Sequence, residues 1–305
     1  MLTSLRTTFV RRSKKAINAV SGLLRSVITR PKLTANAVVT LPYFVRGLQF
    51  GREATFSNGS RLADKSPSPT NPLISYFESH NEGPGVWKWK HYFDAYHRHF
   101  SRFIGRDVHV LEVGIYSGGS LLMWRNYFGE HAHIYGVDIN EACRACEDDR
   151  TTVFIGDQAD RSFWAEVKKA APLIDIVIDD GGHLPEQQLV TLEELLPHVR
   201  AGGVYFCEDI HSRFNGFAAY VQGLSDNLND FFWRVREKPV PAVYSSPSTF
   251  QAAINSIHLY PFAVVVEKRD QPLDEFVAPQ QGTQWQPHSF WKAVAAEKGR
   301  GGSAV

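Results

Sequence analysis

Two short runs of acids carry the densest chemistry in this 305-residue chain. One is Ile176-Val177-Ile178-Asp179-Asp180-Gly181-Gly182-His183, and the other, about 28 positions further on, is Tyr205-Phe206-Cys207-Glu208-Asp209-Ile210-His211. Each opens with β-branched or aromatic residues, as a buried strand does, and turns to carboxylates where the strand should stop. In an open α/β sheet, ligands bind beyond the carboxyl ends of the strands, so both runs should face one rim. Carboxylates gathered there repel one another unless a cation neutralises them. Hard oxygen ligands suit magnesium, which keeps several waters and takes few protein carboxylates. Asp180, Glu208 and Asp209 are the expected metal ligands. His183, three residues past Asp180 on a glycine-loosened turn, is the expected general base, because an imidazole titrates close enough to neutrality to take a proton from a hydroxyl. The ordinary alternatives are a helix cap for Asp180, a solvated strand end for Glu208 and Asp209, and a plain turn histidine for His183.

A second constellation lies upstream in Leu111-Glu112-Val113-Gly114-Ile115-Tyr116-Ser117-Gly118-Gly119-Ser120. Glycines in the first strand-to-helix turn let the backbone approach a ligand closely. A dinucleotide cradle, G-x-G-x-x-G, holds an anionic pyrophosphate and tolerates no acid pressed into it. Here Tyr116 takes the middle glycine position, Glu112 sits inside the strand, and Asp138 ends the next strand. A cationic ligand fits this turn better than an anionic one, which speaks against a nucleotide-dependent oxidoreductase.

The elements that must position these groups are legible as alternation. From about residue 109, short β-branched runs alternate with helical stretches, the pattern of a parallel sheet covered on both faces. Strands are expected at His109–Ile115, His133–Ile139, Thr151–Asp157, Ile174–Asp180 and Gly203–Ile210. Helices are expected at Gly119–Phe128, Glu141–Asp148, Arg161–Ala170 and Pro185–His198, the last opening on Pro185 and Glu186 as a first helical turn should. A longer helical region follows near 213–236, and Ser256–Tyr260 with Ala263–Lys268 reads as a closing antiparallel pair. The segment from Trp87 to Phe100 reads as helical, which sets Tyr92 and Tyr96 on one face. Cys143 and Cys146 have redox spacing but lie on a helix, so packing is the preferred reading. The histidines of 91–99 are too irregularly spaced for a zinc site, and His211 reads equally as a group behind the site or a loop residue.

Composition sets the outer limits. At 43% hydrophobic, the chain can bury one large α/β core. Its net charge of +1 hides an asymmetry, since residues 1–52 hold no Asp or Glu but ten Lys and Arg. Removing those ten from the 33 leaves 23 bases against 32 acids, so the remainder is acidic by about nine charges. That excludes a nucleic-acid surface on the body. The basic arm, 1–52, is patterned with apolar residues. It has three readings: a solvated or oligomer-stabilising extension of a homo-oligomer, an organelle transit peptide, or a helix resting peripherally on an anionic membrane. A linker is expected at 53–72, the catalytic domain at 73–275, and a C-terminal extension with a disordered end at 276–305. Three cysteines and the lack of an 18-residue apolar run point to a reducing, cytoplasmic compartment without a transmembrane segment; an organellar location is the alternative.

The turn from Glu112 to Gly118 followed by Asp138 resembles the first motif of the class I S-adenosylmethionine-dependent methyltransferases. Its central aromatic is similar to that of the metal-dependent catechol-type enzymes. Asp-Asp-Gly-x-His followed by Glu-Asp is similar to the macrolide-sugar O-methyltransferases of the mycinamicin and tylosin type, a family that includes cephalosporin hydroxylase-like proteins. The likeness runs in order over residues 73 to 270, with Gly182 where Ser is common in that family. It implies a Rossmann-like fold with a mostly parallel seven-stranded sheet, S-adenosylmethionine as donor, and Mg2+ or another divalent cation. By the same resemblance, Glu112, Gly114, Tyr116, Gly118 and Ser120 shape the methionine pocket, and Asp138 accepts bonds from the ribose. Asp157, Gln158 and Asp179 lie at the cofactor, Asp157 near the adenine unless it caps a helix, and Tyr92 and Tyr96 fold over the methionine end. The implied acceptor is a hydroxyl of a sugar or glycosylated small molecule. A scaffold that binds the donor without catalysis is the remaining alternative, and it would need neither the metal nor His183.

Overall fold

The protein is described by a computed structural model covering residues 21–22, 25–55, 71–211, 215–230, 234–236 and 242–284. The chain divides into two units, Met1–Ser68 and Pro69–Val305. Most of the expected linker and the expected disordered end fall outside the described residues, as does the start of the basic arm. In the first unit, Pro31–Glu53 forms helix α1, started by Pro31, whose missing N–H suits a first helical turn. None of its residues is buried, and Val39, Tyr43 and Phe50 stand in the open. No helix among the described residues is long and apolar enough to cross a membrane.

The second unit is built on a seven-stranded sheet in the order β3-β2-β1-β4-β5-β9-β8. Its strands are β1 (His109–Val113), β2 (His133–Asp138), β3 (Thr151–Ile155), β4 (Ile174–Asp179), β5 (Val199–Cys207), β8 (Ile254–Tyr260) and β9 (Ala263–Lys268). β1 to β5 run parallel, and β9 and β8 close the edge antiparallel. Every residue of β4 is buried, because helices cover both faces. Alternation along the central strands feeds two cores. Val110, Ile176, Ile178, Val204 and Phe206 join one with the aromatic rings of α3 (Tyr92–Phe100) and α4 (Gly119–Phe128). Leu111, Val113, Val177, Tyr205 and Cys207 join the other, with Trp164 of α5 (Arg161–Ala170) and residues of α6 (Pro185–Leu195) and α7 (Gly216–Leu228). Full burial of each large side chain such as Trp124 or Trp164 contributes about 2–3 kcal/mol.

Helix starts follow from caps. Asp160 accepts from Ser162 N at the head of α5, and Asn215 accepts from Phe217 N and Ala218 N at the head of α7. The short helices α2 (Pro72–Ser79) and α8 (Thr249–Ala253) complete the unit, with a small second sheet of β6 (Arg234–Arg236), β7 (Ala242–Ser245) and β10 (Phe276–Pro279). That sheet corrects one expectation. Among the described residues the helical region foreseen near 213–236 is α7, and Arg234–Arg236 pairs with β7 as a strand. Phe276–Pro279, where the C-terminal extension is expected to begin, pairs with β7 from the other side. Glu141–Cys146 is a 3-10 helix rather than an α-helix, because Asp148 is already committed to Thr151 of β3. The helix foreseen from Trp87 begins only at Tyr92, leaving Trp87-Lys88-Trp89 without regular secondary structure.

Candidate active site

Register brings the two acid runs together. Val113, Asp179 and Cys207 stand in one row across β1, β4 and β5, so Gly114, Asp180 and Glu208 all leave the sheet at the same rim. Strand alternation then separates neighbours. Asp179 points to the α6 face, where Tyr205 donates to its Oδ2 at 3.0 Å and Gln158 Nε2 to its Oδ1 at 3.1 Å. Burial pushes its carboxyl up to about 7 against the pull of those two hydrogen bonds. Gln158 in turn accepts from Gly182 N at 2.6 Å, so the buried Asp179–Gln158 pair braces the turn that carries His183. Neither side chain opens onto the rim.

Asp180 and Asp209 are held alike, each anchored through one oxygen. Asp180 Oδ2 accepts from Lys88 at 2.6 Å, and its Oδ1 lies 4.0 Å from His183 Nε2. Asp209 Oδ1 accepts from Trp89 Nε1 at 2.9 Å and from the Tyr92 hydroxyl at 3.0 Å, and its Oδ2 lies 3.7 Å from His183 Nε2. The ligand atoms of Asp180, His183 and Asp209 all lie within 4.8 Å of one another. The two carboxylates, partly open to solvent, are oxygen donors of the kind a hard divalent cation takes, and the imidazole stands beside them. The buried Nδ1 of His183 has no hydrogen-bond partner among the described residues. His183 and Asp209 also hold left-handed backbone, at φ 57° and 54°, as do Tyr116 and Phe262 nearby. Each such residue costs about 1 kcal/mol or more, and strain of this kind concentrates at functional sites.

Glu208 is placed differently from the two aspartates. Its carboxylate is 1% exposed and is taken up by Lys88 at 3.1 and 3.3 Å and by the Tyr96 hydroxyl. Burial raises its pKa well above the usual carboxylate range, Asp180 adds to the rise, and Lys88 opposes it. Glu112, fully buried in β1, accepts from Lys88 at 3.1 Å and from Ser120 at 2.6 Å. Burial alone would lower the Lys88 pKa, but Asp180, Glu208 and Glu112 outweigh it and the ammonium stays charged. Tyr92 and Tyr96 thus direct their hydroxyls at the rim acids, with pKa values raised chiefly by burial.

The glycine turn lies against the same rim. Gly114 has φ 84°, and a Cβ there would stand 2.1 Å from the Asp180 carbonyl oxygen. Gly118, at φ 81°, caps α4 in left-handed geometry. Asp138 accepts from Tyr116 N at 3.1 Å and from Asn140 N at 2.9 Å, holding the turn's shape. Asp157 accepts from Ala159 N at 2.8 Å, a turn bond, while the helix cap itself falls to Asp160. Cys143 is buried and its thiol is pushed up to about 11, chiefly by burial, which suits packing and not redox exchange. His211 Nε2 approaches Asp209 Oδ1 at 3.5 Å. Lys88 and Trp89 have no counterpart in the sequence reading. The signal that pointed to a buried cation was Glu112 itself, a charge flanked by Leu111 and Val113 in a strand buried on both faces.

Sheet order and the glycine turn after β1 are those of the class I methyltransferase fold. A family model described as a methyltransferase domain matches residues 111–210. More particularly, the chain is 30% identical to the mycinamicin VI 2''-O-methyltransferase of Micromonospora griseorubida, over 86% of this chain and 66% of that protein. It is 39% identical to the demethylmacrocin O-methyltransferase of Streptomyces fradiae, over 42% of this chain and 34% of that protein. The chain thus spans less than two thirds of either curated relative. Among solved structures, it is similar to the MycE methyltransferase from the mycinamycin biosynthetic pathway in complex with Mg and SAH. That match has a TM-score of 0.54 and 26% identity, over 88% of this chain and 67% of that one.

Proposed function

We propose that this domain moves a methyl group from S-adenosylmethionine to a hydroxyl of a sugar or glycosylated small molecule, with a divalent cation, magnesium by preference, at the rim. The observation that carries the reading is the arrangement of Asp180 and Asp209, each anchored through one oxygen and turning the other toward His183. Asp180, Glu208 and Asp209 would hold the ion. When bound, it supplies Lewis acidity that lowers the pKa of an acceptor hydroxyl. His183 then takes the hydroxyl proton at Nε2, with its ring fixed by the turn that Gln158 braces. The turn from Gly114 to Gly118, with Glu112 and Ser120 behind it and Asp138 beside it, would seat the donor. Tyr116 and Asp157 would flank that seat, while Gln158 and Asp179 brace the His183 turn from behind and Tyr92 and Tyr96 hold the rim acids. An acidic body and a rim of carboxylates suit a small neutral or cationic acceptor better than a nucleic acid.

The test is a product-mass screen for the gain of one methylene across glycosylated acceptors, with donor and magnesium present. The reading expects turnover that chelation with EDTA abolishes and that His183→Gln lowers by about 10²-fold or more. Turnover indifferent to both would sink it.

A further inference from the structure

Lys88 is buried, with 2% of its side chain exposed, and the reaction proposed above does not use it. Its Nζ stands 3.1 Å from Glu112, 2.6 Å from Asp180, and 3.1 and 3.3 Å from the two oxygens of Glu208. Acids from three adjacent strands share one ammonium, so the carboxyl groups outnumber the cation by two. A doubly charged ion would complete the balance. Asp180 divides its oxygens, giving Oδ2 to Lys88 and Oδ1 to the His183 side. Glu208 does not divide, since both of its oxygens lie against Lys88. For Glu208 to join Asp180 and Asp209 on one ion, Lys88 has to release it.

We propose that Lys88 is a built-in competitor for the divalent cation. Its ammonium holds the rim acids together in the metal-free protein and withdraws from Glu208 when the ion arrives. This rests on the metal-dependent reading given above. The physical ground is electrostatic. Three neighbouring carboxylates, two of them buried, repel one another without a counterion and destabilise the fold. The same surplus of negative charge, once freed of the lysine, attracts a divalent ion more strongly. Lys88 therefore trades metal affinity for stability of the empty site. Trp89, its neighbour in the chain, anchors Asp209, so movement of Lys88 and the seating of Asp209 are linked through one peptide.

Magnesium is titrated calorimetrically into the full-length wild type and into Lys88→Met, which keeps an unbranched apolar stem, with thermal unfolding measured alongside. Lys88→Met should bind magnesium at least about tenfold tighter, about 1.4 kcal/mol. It should melt below the wild type without magnesium and recover most of that loss at saturating magnesium. Equal or weaker binding by the folded variant overturns the competition and leaves Lys88 as a positioning group, with the metal reading intact. A wild type that takes up no magnesium overturns both. If Lys88→Met does not fold, Lys88→Met with Glu112→Gln keeps the excess of carboxyl groups over cations at two. Tighter binding by that double variant supports the competition, and equal or weaker binding refutes it.

Discussion

Two ionic networks sit on the same sheet and are built in opposite proportion. At the rim, three carboxylates share the single ammonium of Lys88. At the antiparallel edge, the single carboxylate of Glu267 on β9 is surrounded by His99 and Arg102, both at 3.0 Å, and His258 at 3.6 Å. The partners decide the titration. The hydrogen bond from His99, with help from Arg102, holds the Glu267 carboxyl at about 2, whereas burial drives Glu208 upward. His99, His258 and Glu267 stand close enough to ligate a metal. Yet Arg102 already occupies Glu267, and the second nitrogen of His99 is bonded to the Tyr260 hydroxyl. An acid paired with an arginine and held by a histidine hydrogen bond is a lock, and a cluster with more carboxyl groups than cations is a place made ready for an incoming cation.

Charge removal at each network should separate the two most sharply. Asp180→Asn at the rim should lower methyl transfer by about 10³-fold or more, several kcal/mol of transition-state stabilisation. The metal-free protein should be no less stable to urea, because a like-charge contact is relieved; a large stability loss would erase the distinction. Next in size, His183→Gln should cut kcat by about 10²- to 10⁴-fold while calorimetric magnesium binding holds. At the edge, Glu267→Gln should do the reverse. It should lower the urea unfolding free energy by about 1–2 kcal/mol and leave kcat in place.

The smallest effects are slopes with pH, and they run in opposite directions. Glu267 has a folded pKa below its ordinary 4.5, so its contribution is present above that value and fades as pH falls toward about 2. The stability gap between wild type and Glu267→Gln should close over that window. Asp179 has a folded pKa of about 7, above its ordinary 3.8, so the folded state retains a proton that the unfolded chain has lost. Its contribution is present below 3.8 and is lost as pH rises toward 7, and Asp179→Asn should gain on the wild type across that range. Parallel slopes in the two urea series would contradict the contrast.

Much of the rim was legible because strand periodicity and glycine placement are local. β1 to β5, the row of Gly114, Asp180 and Glu208, and the closing hairpin all follow from alternation that a reader of residues can see. Lys88 was not legible, since its reach depends on the chain staying out of the helix from Trp87 to Trp89, and aromatic spacing there imitates a helix. The inward turn of Glu208 is a tertiary choice between an ammonium and the open rim, and no local signal encodes it. The small sheet of β6, β7 and β10 escaped for a similar reason. β10 reaches β7 across about thirty residues of chain, and strands of three and four residues carry little period of their own.

At Gly114 the turn proposed to seat the donor and the loop of the proposed base meet backbone to backbone, with Asp180 N also bonded to Val113 O at 3.0 Å. No side chain lies between them to flex. A displacement of one loop is therefore transmitted to the other without a cushion, and the two halves of the chemistry are geared together at a single hydrogen atom's width.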